Sequence, residues 1–283
     1  MQLNYQILKE KYLSYFNNNI DKCDYVLTDV LFAFNEIYPL VNDNKVKSIL
    51  EIGSGTGILI SELKKIFPNK KFIGIDPNES GFHNYRDISE KLKLEKKNLG
   101  ILNINIDNFK KDEKNDFIFS INVFEHVREQ KKYLEKTYEL LEKNGRNIIF
   151  FPNYDFPYEP HFVLPIIFNK KITYKVFKNK ILNHEKKTQE IGLWEGINMN
   201  GKKSIEKIMK KKNYNYSFDY SIQERILDRL SNDESKYFKK RQGIVGNLAI
   251  IAKFFYLDKI IFNILKVPFP YLRLLIHKNE NND

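Results

Sequence analysis

The residues with the clearest chemical content are Glu51-Ile52-Gly53-Ser54-Gly55-Thr56-Gly57 and, 19 positions beyond Gly57, Asp76. Three glycines at alternate positions let a backbone turn sharply and approach a ligand where a Cβ would intrude. A dinucleotide fingerprint wants glycine or alanine at position 58 for close helix–strand packing, but Ile58 stands there. A phosphate-cradling loop would close on Gly-Lys-Ser/Thr, which is absent. The pattern therefore disfavours pyrophosphate. A carboxylate such as Asp76, at the end of a second strand, can accept hydrogen bonds from both hydroxyls of a ribose. Asp107, read as the end of a third strand, is placed to accept from an adenine amino group, and it reads almost as well as a strand-end cap.

Proton removal near neutral pH suits histidine. Of the five histidines, His126 follows the fourth predicted strand and His161 the fifth, so both are candidates for a catalytic base. Each also reads as a surface or supporting histidine. Glu125 is placed to orient one of them, or is a solvated glutamate at a helix start. His83 has no ligand partner at useful spacing, and no metal site is expected. Tyr154 and Trp194 belong to an aromatic run that also holds Phe156, Tyr158, Phe162, Tyr174 and Phe177. This run suits an acceptor pocket or lid, or a small hydrophobic subdomain packed on itself.

The elements that would carry these residues follow a regular rhythm. Helices are predicted over Leu3–Phe16 and residues 24–41, where Leu27, Val30, Leu31, Phe34, Ile37, Tyr38 and Val41 recur at three- and four-residue spacing. Strands over Val46–Ile52, Lys71–Ile75, Gly100–Ile106, Asp116–Asn122 and Asn147–Phe151 alternate with helices over Ile58–Phe67, Ser80–Lys97 and Glu129–Glu142. Such alternation implies right-handed crossovers and a parallel sheet with helices on both faces. Residues 152–200 break the rhythm with four prolines and many aromatics. A helix at Lys202–Lys212, a strand near Tyr214–Ser221, a charged helical insertion over 222–243 and an apolar strand at Asn247–Phe254 resume it. Residues 255–277 are apolar but interrupted by Asp258, Lys259, Lys266, Pro268, Pro270 and Arg273, too often for a bilayer span. They read as an amphipathic helix, packed on the domain or resting on a membrane surface.

Composition sets outer bounds. An apolar fraction of 42% and an aromatic fraction of 14% suit a continuous core over 283 residues. The lone Cys23 excludes an internal disulfide and fits a reducing cytosol, and no secretory leader is expected. Residues 1–159 hold 23 Lys and Arg against 24 Asp and Glu, whereas 160–283 hold 24 against 12. The second half thus carries the whole excess of +11, which would draw anionic partners or simply solvate the surface.

Ile49-Leu50-Glu51-Ile52-Gly53-Ser54-Gly55-Thr56-Gly57, Gly74-Ile75-Asp76-Pro77-Asn78 and Ser120-Ile121-Asn122-Val123-Phe124-Glu125-His126-Val127 together resemble class I S-adenosylmethionine-dependent methyltransferases. The resemblance covers residues 25–151 well and 202–254 loosely. It implies an α/β fold: a Rossmann-like seven-stranded sheet with helices on both faces, an inserted aromatic and basic segment, and an apolar C-terminal extension. The corresponding parts are N-terminal helices over 1–45, a methyltransferase domain over 46–254 with its insertion at about 152–200, and an extension over 255–283. The resemblance further implies S-adenosylmethionine as cofactor, bound by Glu51, Gly53, Gly55, Gly57, Asp76, Asp107 and Asn122. Tyr154 and Trp194 are the candidate acceptor contacts, and His126 and His161 the catalytic candidates.

Phe151-Pro152-Asn153 followed by Pro160-His161-Phe162 looks like methyltransferases of bacterial surface-polysaccharide gene clusters. The expected reaction is O-methylation of a sugar or glycan intermediate, small or lipid-linked, in the cytosol or at the inner membrane face through 255–277. A membrane lipid or quinone precursor, another small phosphorylated metabolite, an RNA ribose and a non-catalytic binding protein are the alternatives. Asn122-Val123-Phe124 lacks the Asn/Asp-Pro-Pro-aromatic turn that goes with base-amino methylation, and nucleic acid is not the expected partner.

Overall fold

The computed structural model describes residues 3–78, 83–96, 99–110 and 112–279. Helix α1 (Tyr5–Tyr12) starts where the Asn4 side chain accepts from the Ile7 N–H, and α2 (Ile20–Val41) where Asn19 accepts from the Lys22 N–H. Each cap satisfies one of the orphan donors of a helix start. Helix α2 buries Cys23, Leu27, Phe34 and Ile37 completely.

Strands β1 (Ser48–Ile52), β2 (Lys71–Ile75), β3 (Gly100–Leu102), β4 (Asn115–Ile121) and β5 (Leu141–Pro152) pair in parallel. Their crossovers run through α3 (Ile58–Ile66), α4 (His83–Glu95) and α5 (Gln130–Glu139). With both faces covered, β1 and β4 are near-continuous apolar runs. The predicted Ser80–Lys97 helix begins and ends on residues outside those described, and nothing is described of the His83 side chain. A two-residue hairpin of β6 (Tyr158–Glu159) and β7 (Leu164–Pro165) opens the insertion, which continues in α6 (Lys170–Thr188) and the turn α7 (Leu193–Gly196). Helix α8 (Lys202–Lys211) leads to β8 (Asn215–Asp219), then to α9 (Ile222–Asn232), α10 (Tyr237–Phe254) and β9 (Tyr271–His277). The seven-stranded sheet runs β3-β2-β1-β4-β5-β9-β8, with β9 antiparallel to both neighbours.

Two sequence expectations give way here. Asn247–Phe254 is not a strand but the end of α10, which is kinked at Gly243. The segment 255–277 is not one amphipathic helix. Short helical turns at Leu257–Lys259 and Ile260–Ile264 stop ahead of Pro268 and Pro270, and Tyr271–His277 then forms a central strand. A boundary at 254 therefore cuts through the sheet. Leu272, Leu274 and Ile276 alternate with half-buried residues and are themselves fully buried, a two-residue period hidden by the apolar run before it. Arg273 on the opposite face reaches Asp219 at 3.1 Å and Glu36 at 3.6 Å.

Candidate active site

Parallel register brings the chemical residues to one edge. Glu51 stands level with Gly74 and Phe119, and Ile52 with Ile75 and Ser120. The loops leaving β1, β2 and β4 therefore open together at the carboxyl ends of the strands, where such sheets bind ligands. They line a cavity of about 1390 Å³.

The glycine loop divides its work between ligand and scaffold. All three glycines have positive φ. A Cβ on Gly53 would lie 2.1 Å from Val123 Cγ2, and one on Gly57 2.2 Å from Ile101 Cδ1. Gly53 lines the cavity, while Gly57 starts α3 and packs on β3, giving it a scaffold role. Gly55 has open space, the nearest atom to a Cβ being Tyr85 Cδ2 at 3.5 Å. Its N–H donates to Asp76 Oδ2 at 2.8 Å, and the Asn78 N–H to Asp76 Oδ1 at 2.6 Å.

Glu51 is buried, and its Oε2 makes no hydrogen bond. Burial, then the neighbouring Asp76 carboxylate, push its pKa up to about 8. A buried carboxylate oxygen without a donor, beside an open glycine cradle and a braced aspartate, fits the amino and sulfonium charges and the ribose of S-adenosylmethionine. Asn122, at φ +55, also lines the cavity, and its Oδ1 accepts from the Tyr271 hydroxyl at 2.7 Å.

Asp107 is placed differently from the sequence reading. Strand β3 ends at Leu102, and Asp107 lies five residues further on in a 3-10 turn, Ile106–Asn108. It is exposed on the cavity rim and pairs with Lys132 at 3.0 Å.

The structure brings His126 and His161 together across the cavity wall, ring centroids 5.3 Å apart and edge to face. His126 ends a 3-10 turn after β4, and His161 sits inside the β6–β7 hairpin. His161 Nδ1 is 2.6 Å from Glu159 Oε1, and its Nε2 is 3.6 Å from Glu125 Oε1. Glu159 is fixed in turn by the Phe162 N–H at 2.7 Å and the Tyr154 hydroxyl at 3.2 Å. Burial alone would lower the His161 pKa, but Glu159 and then Glu125 raise it to about 9. Burial, with the neighbouring His161 charge, takes His126 down to about 3. One imidazole is thus held cationic and the other neutral.

Tyr154 and Trp194, expected in the acceptor pocket, do not line the cavity. Trp194 is 3% exposed and packs edge-on against Phe162 in the insertion's own apolar cluster with Leu193 and Ile181. Tyr154 acts through Glu159. Sequence reasoning missed Glu159, Arg229 and Arg241. The two arginines line the cavity and share Asp29, at 2.6 and 3.1 Å. Glu159 stood two residues before His161, a signal within reach, whereas nothing local marks the arginines.

Residues 26–216 match the family described as "Methyltransferase domain". The uncharacterized protein Rv1509 of Mycobacterium tuberculosis (strain ATCC 25618 / H37Rv) is 29% identical over 152 residues, covering 53% of this chain and 51% of that one. Malonyl-[acyl-carrier protein] O-methyltransferase 1 of Ilyobacter polytropus is 31% identical over 102 residues, 36% of this chain and 37% of that one. The chain thus spans about half the length of its mycobacterial relative. Among solved structures, phosphoethanolamine N-methyltransferase 2 of Haemonchus contortus, in complex with S-adenosyl-L-methionine, matches with a TM-score of 0.53. It is 14% identical, with 98% of this chain and 60% of that one covered, a likeness of fold.

Proposed function

The chain belongs to the methyltransferase-domain family, and from that premise we propose that it transfers a methyl group from S-adenosylmethionine to a hydroxyl of a sugar or glycan intermediate of surface-polysaccharide assembly. The observation that carries the reading is one continuous cavity joining the Gly53–Gly55–Asp76 cradle to the His126–His161 wall. Its volume of about 1390 Å³ exceeds the ~300–1,000 Å³ of a single small-molecule pocket, leaving room for cofactor and acceptor together.

When bound, the cofactor supplies an electrophilic methyl group on a sulfonium centre. Glu51 would meet its positive charge, Asp76 its ribose hydroxyls and Asn122 its flank, with the Asp107–Lys132 pair at the cavity rim. The acceptor hydroxyl gains the methyl and loses its proton, so the protein must align oxygen and carbon and receive or stabilise that proton. The His126–His161 wall is the place for that oxygen: neutral His126 accepts a hydrogen bond, and His161, held by Glu159, donates one. Tyr25, Phe156 and Tyr158 provide flat apolar surface for a sugar ring.

A lipid-linked acceptor is favoured by a separate feature. Ile244, Leu248, Phe254, Phe255, Ile264 and Leu265 are 60–78% exposed on the α10 side. An apolar surface of this kind next to the exposed Lys259 and Lys266 suits contact with an anionic bilayer. Among the described residues, no helix is long and apolar enough to cross a membrane.

The test is transfer of labelled methyl from S-adenosylmethionine into a fractionated host extract. Label in saccharide or sugar-nucleotide fractions is the expected result. Label in a lipid-linked saccharide supports the reading as well, label confined to sugar-free lipid or to RNA would replace the acceptor, and cofactor binding with no label in any fraction would count against catalysis.

A further inference from the structure

We propose that Glu125, His126 and His161 form a binding site for one divalent transition-metal ion on the acceptor side of the cavity. One ligand atom from each of the three lies within 4.8 Å of the other two. A four-coordinate ion with bonds of ~2.1 Å holds its ligands roughly 3.4 Å apart, close to the 3.6 Å between His161 Nε2 and Glu125 Oε1. Ion binding would have to draw in the ligand atoms that stand farther apart, by up to about 1.4 Å from the 4.8 Å that bounds the group.

Two further observations point to a ligand. The Glu125 side chain is 1% exposed, and neither of its carboxylate oxygens makes a hydrogen bond. A carboxylate withdrawn from water in this way is costly, and its cationic neighbour His161 stands 3.6 Å away without a hydrogen bond to it, so a closer cation would compensate it better. Independently, His161 is arranged as metal-binding histidines are. Its Nδ1 is engaged by a carboxylate, Glu159 at 2.6 Å, which leaves Nε2 to face Glu125. Glu159 is itself fixed by the Phe162 N–H and the Tyr154 hydroxyl, so the ring cannot easily turn away.

Two imidazoles and one carboxylate suit zinc and its first-row neighbours, the ion taking the place of the His161 Nε2 proton, which is released to solvent, and three protein ligands leave positions for an outside donor. His126 and His161 line the cavity, so that donor is an oxygen of the bound acceptor, a hydroxyl or a carboxylate. The metal site stands on geometry alone; only this assignment of the outside donor rests on the methyl-transfer reading.

The test uses the tag-free full chain after dialysis against a chelator. Zn²⁺ is titrated by calorimetry, and Co²⁺ serves as a spectroscopic probe. The site predicts one Zn²⁺ per chain and visible Co²⁺ ligand-field bands. Glu125→Gln and His126→Ala should each weaken Zn²⁺ by tenfold or more. Glu159→Gln should weaken it roughly 10- to 100-fold through the loss of His161 bracing, with partial recovery in Glu159→Asp. S-adenosylhomocysteine binding, measured on every variant, reports the fold. Absence of saturable Zn²⁺ binding, or binding unchanged in the Glu125→Gln/His126→Ala double variant, overturns the site even if S-adenosylhomocysteine binds. Metal binding without any S-adenosylhomocysteine binding would support the site and sink the methyl-transfer reading.

Discussion

Glu51→Gln separates what the buried carboxylate does for the ligand from what it costs the fold. In the folded chain burial and Asp76 raise the Glu51 pKa from 4.5 to about 8. The folded state therefore keeps a proton that the unfolded chain gives up near pH 4.5. Stability falls as pH rises from about 4.5 to 8 and levels off above that. At 1.36 kcal/mol per pH unit the full displacement is about 5 kcal/mol, and about 3 kcal/mol is already lost at pH 7. Glutamine keeps the shape without the charge. The ligand-free variant should melt with the wild type near pH 5 and roughly 5–10 °C above it at pH 8. Cofactor binding should move the other way. At pH 7 about nine-tenths of Glu51 is protonated, so a cationic ligand that ionises it releases close to one proton. Calorimetry in two buffers of different ionisation enthalpy reads that proton directly, and Glu51→Gln should release none and bind more weakly. Equal melting at pH 8 together with unchanged proton release would refute the reasoning.

The remaining predictions concern the other parts of the site and the sheet. Asp76→Ala should weaken S-adenosylhomocysteine by roughly 1.5–3 kcal/mol, the range for hydrogen bonds to a charged group, and unchanged affinity in a folded variant removes Asp76 from the site. Gly57→Ala puts a Cβ 2.2 Å from Ile101 Cδ1 at a positive φ, so it should cost about 1–3 kcal/mol in denaturant unfolding, with part recovered in an Ile101→Val background. Leu274→Ala in β9 should cost about 2–5 kcal/mol, because this fully buried residue lies between β5 and β8. His161→Ala should reduce methyl transfer far more than S-adenosylhomocysteine affinity. Equal turnover would return His161 to the scaffold.

The first five strands were legible because each holds a short apolar run near a turn, and because a helix carries three of the four crossovers between them, all but that from β3 to β4. The seventh was not. Tyr271–His277 has the right alternation, but it follows an apolar segment long enough to be read as one helix with it, and only Pro268 and Pro270 mark the break. The site divided in the same way. Glu51, Gly53, Gly55, Asp76 and Asn122 belong to strand ends whose position follows from parallel register, so sequence spacing could place them at one edge. Asp107 could not be placed, because β3 stops at Leu102 and the turn after it sets where the carboxylate goes. His126 and His161 were each visible as strand-end histidines. Their convergence with Glu125 and Glu159 depends on the β6–β7 hairpin turning the chain back, which no periodicity announces. Trp194 misled for a physical reason: an aromatic-rich insertion must build its own small core before it can shape a pocket.

The charge asymmetry between the two halves also changes meaning in three dimensions. Lys171, Lys175, Lys178, Lys180, Lys186 and Lys187 of α6 are all exposed to solvent, and none lines the cavity. Among the described residues, the second half contributes His161, Arg229 and Arg241 as cavity-lining cations, and both arginines are bound to Asp29. A half-buried guanidinium pair sharing one carboxylate is largely compensated within the protein, so it can orient an anionic group without attracting every anion. The lysines act at longer range, on the rate at which anionic partners arrive, and salt screens that effect over about 10 Å. If the acceptor is charged, as proposed, high salt should slow its encounter while leaving discrimination inside the cavity intact, because Arg229, Arg241 and the histidine wall line the cavity and the lysines do not.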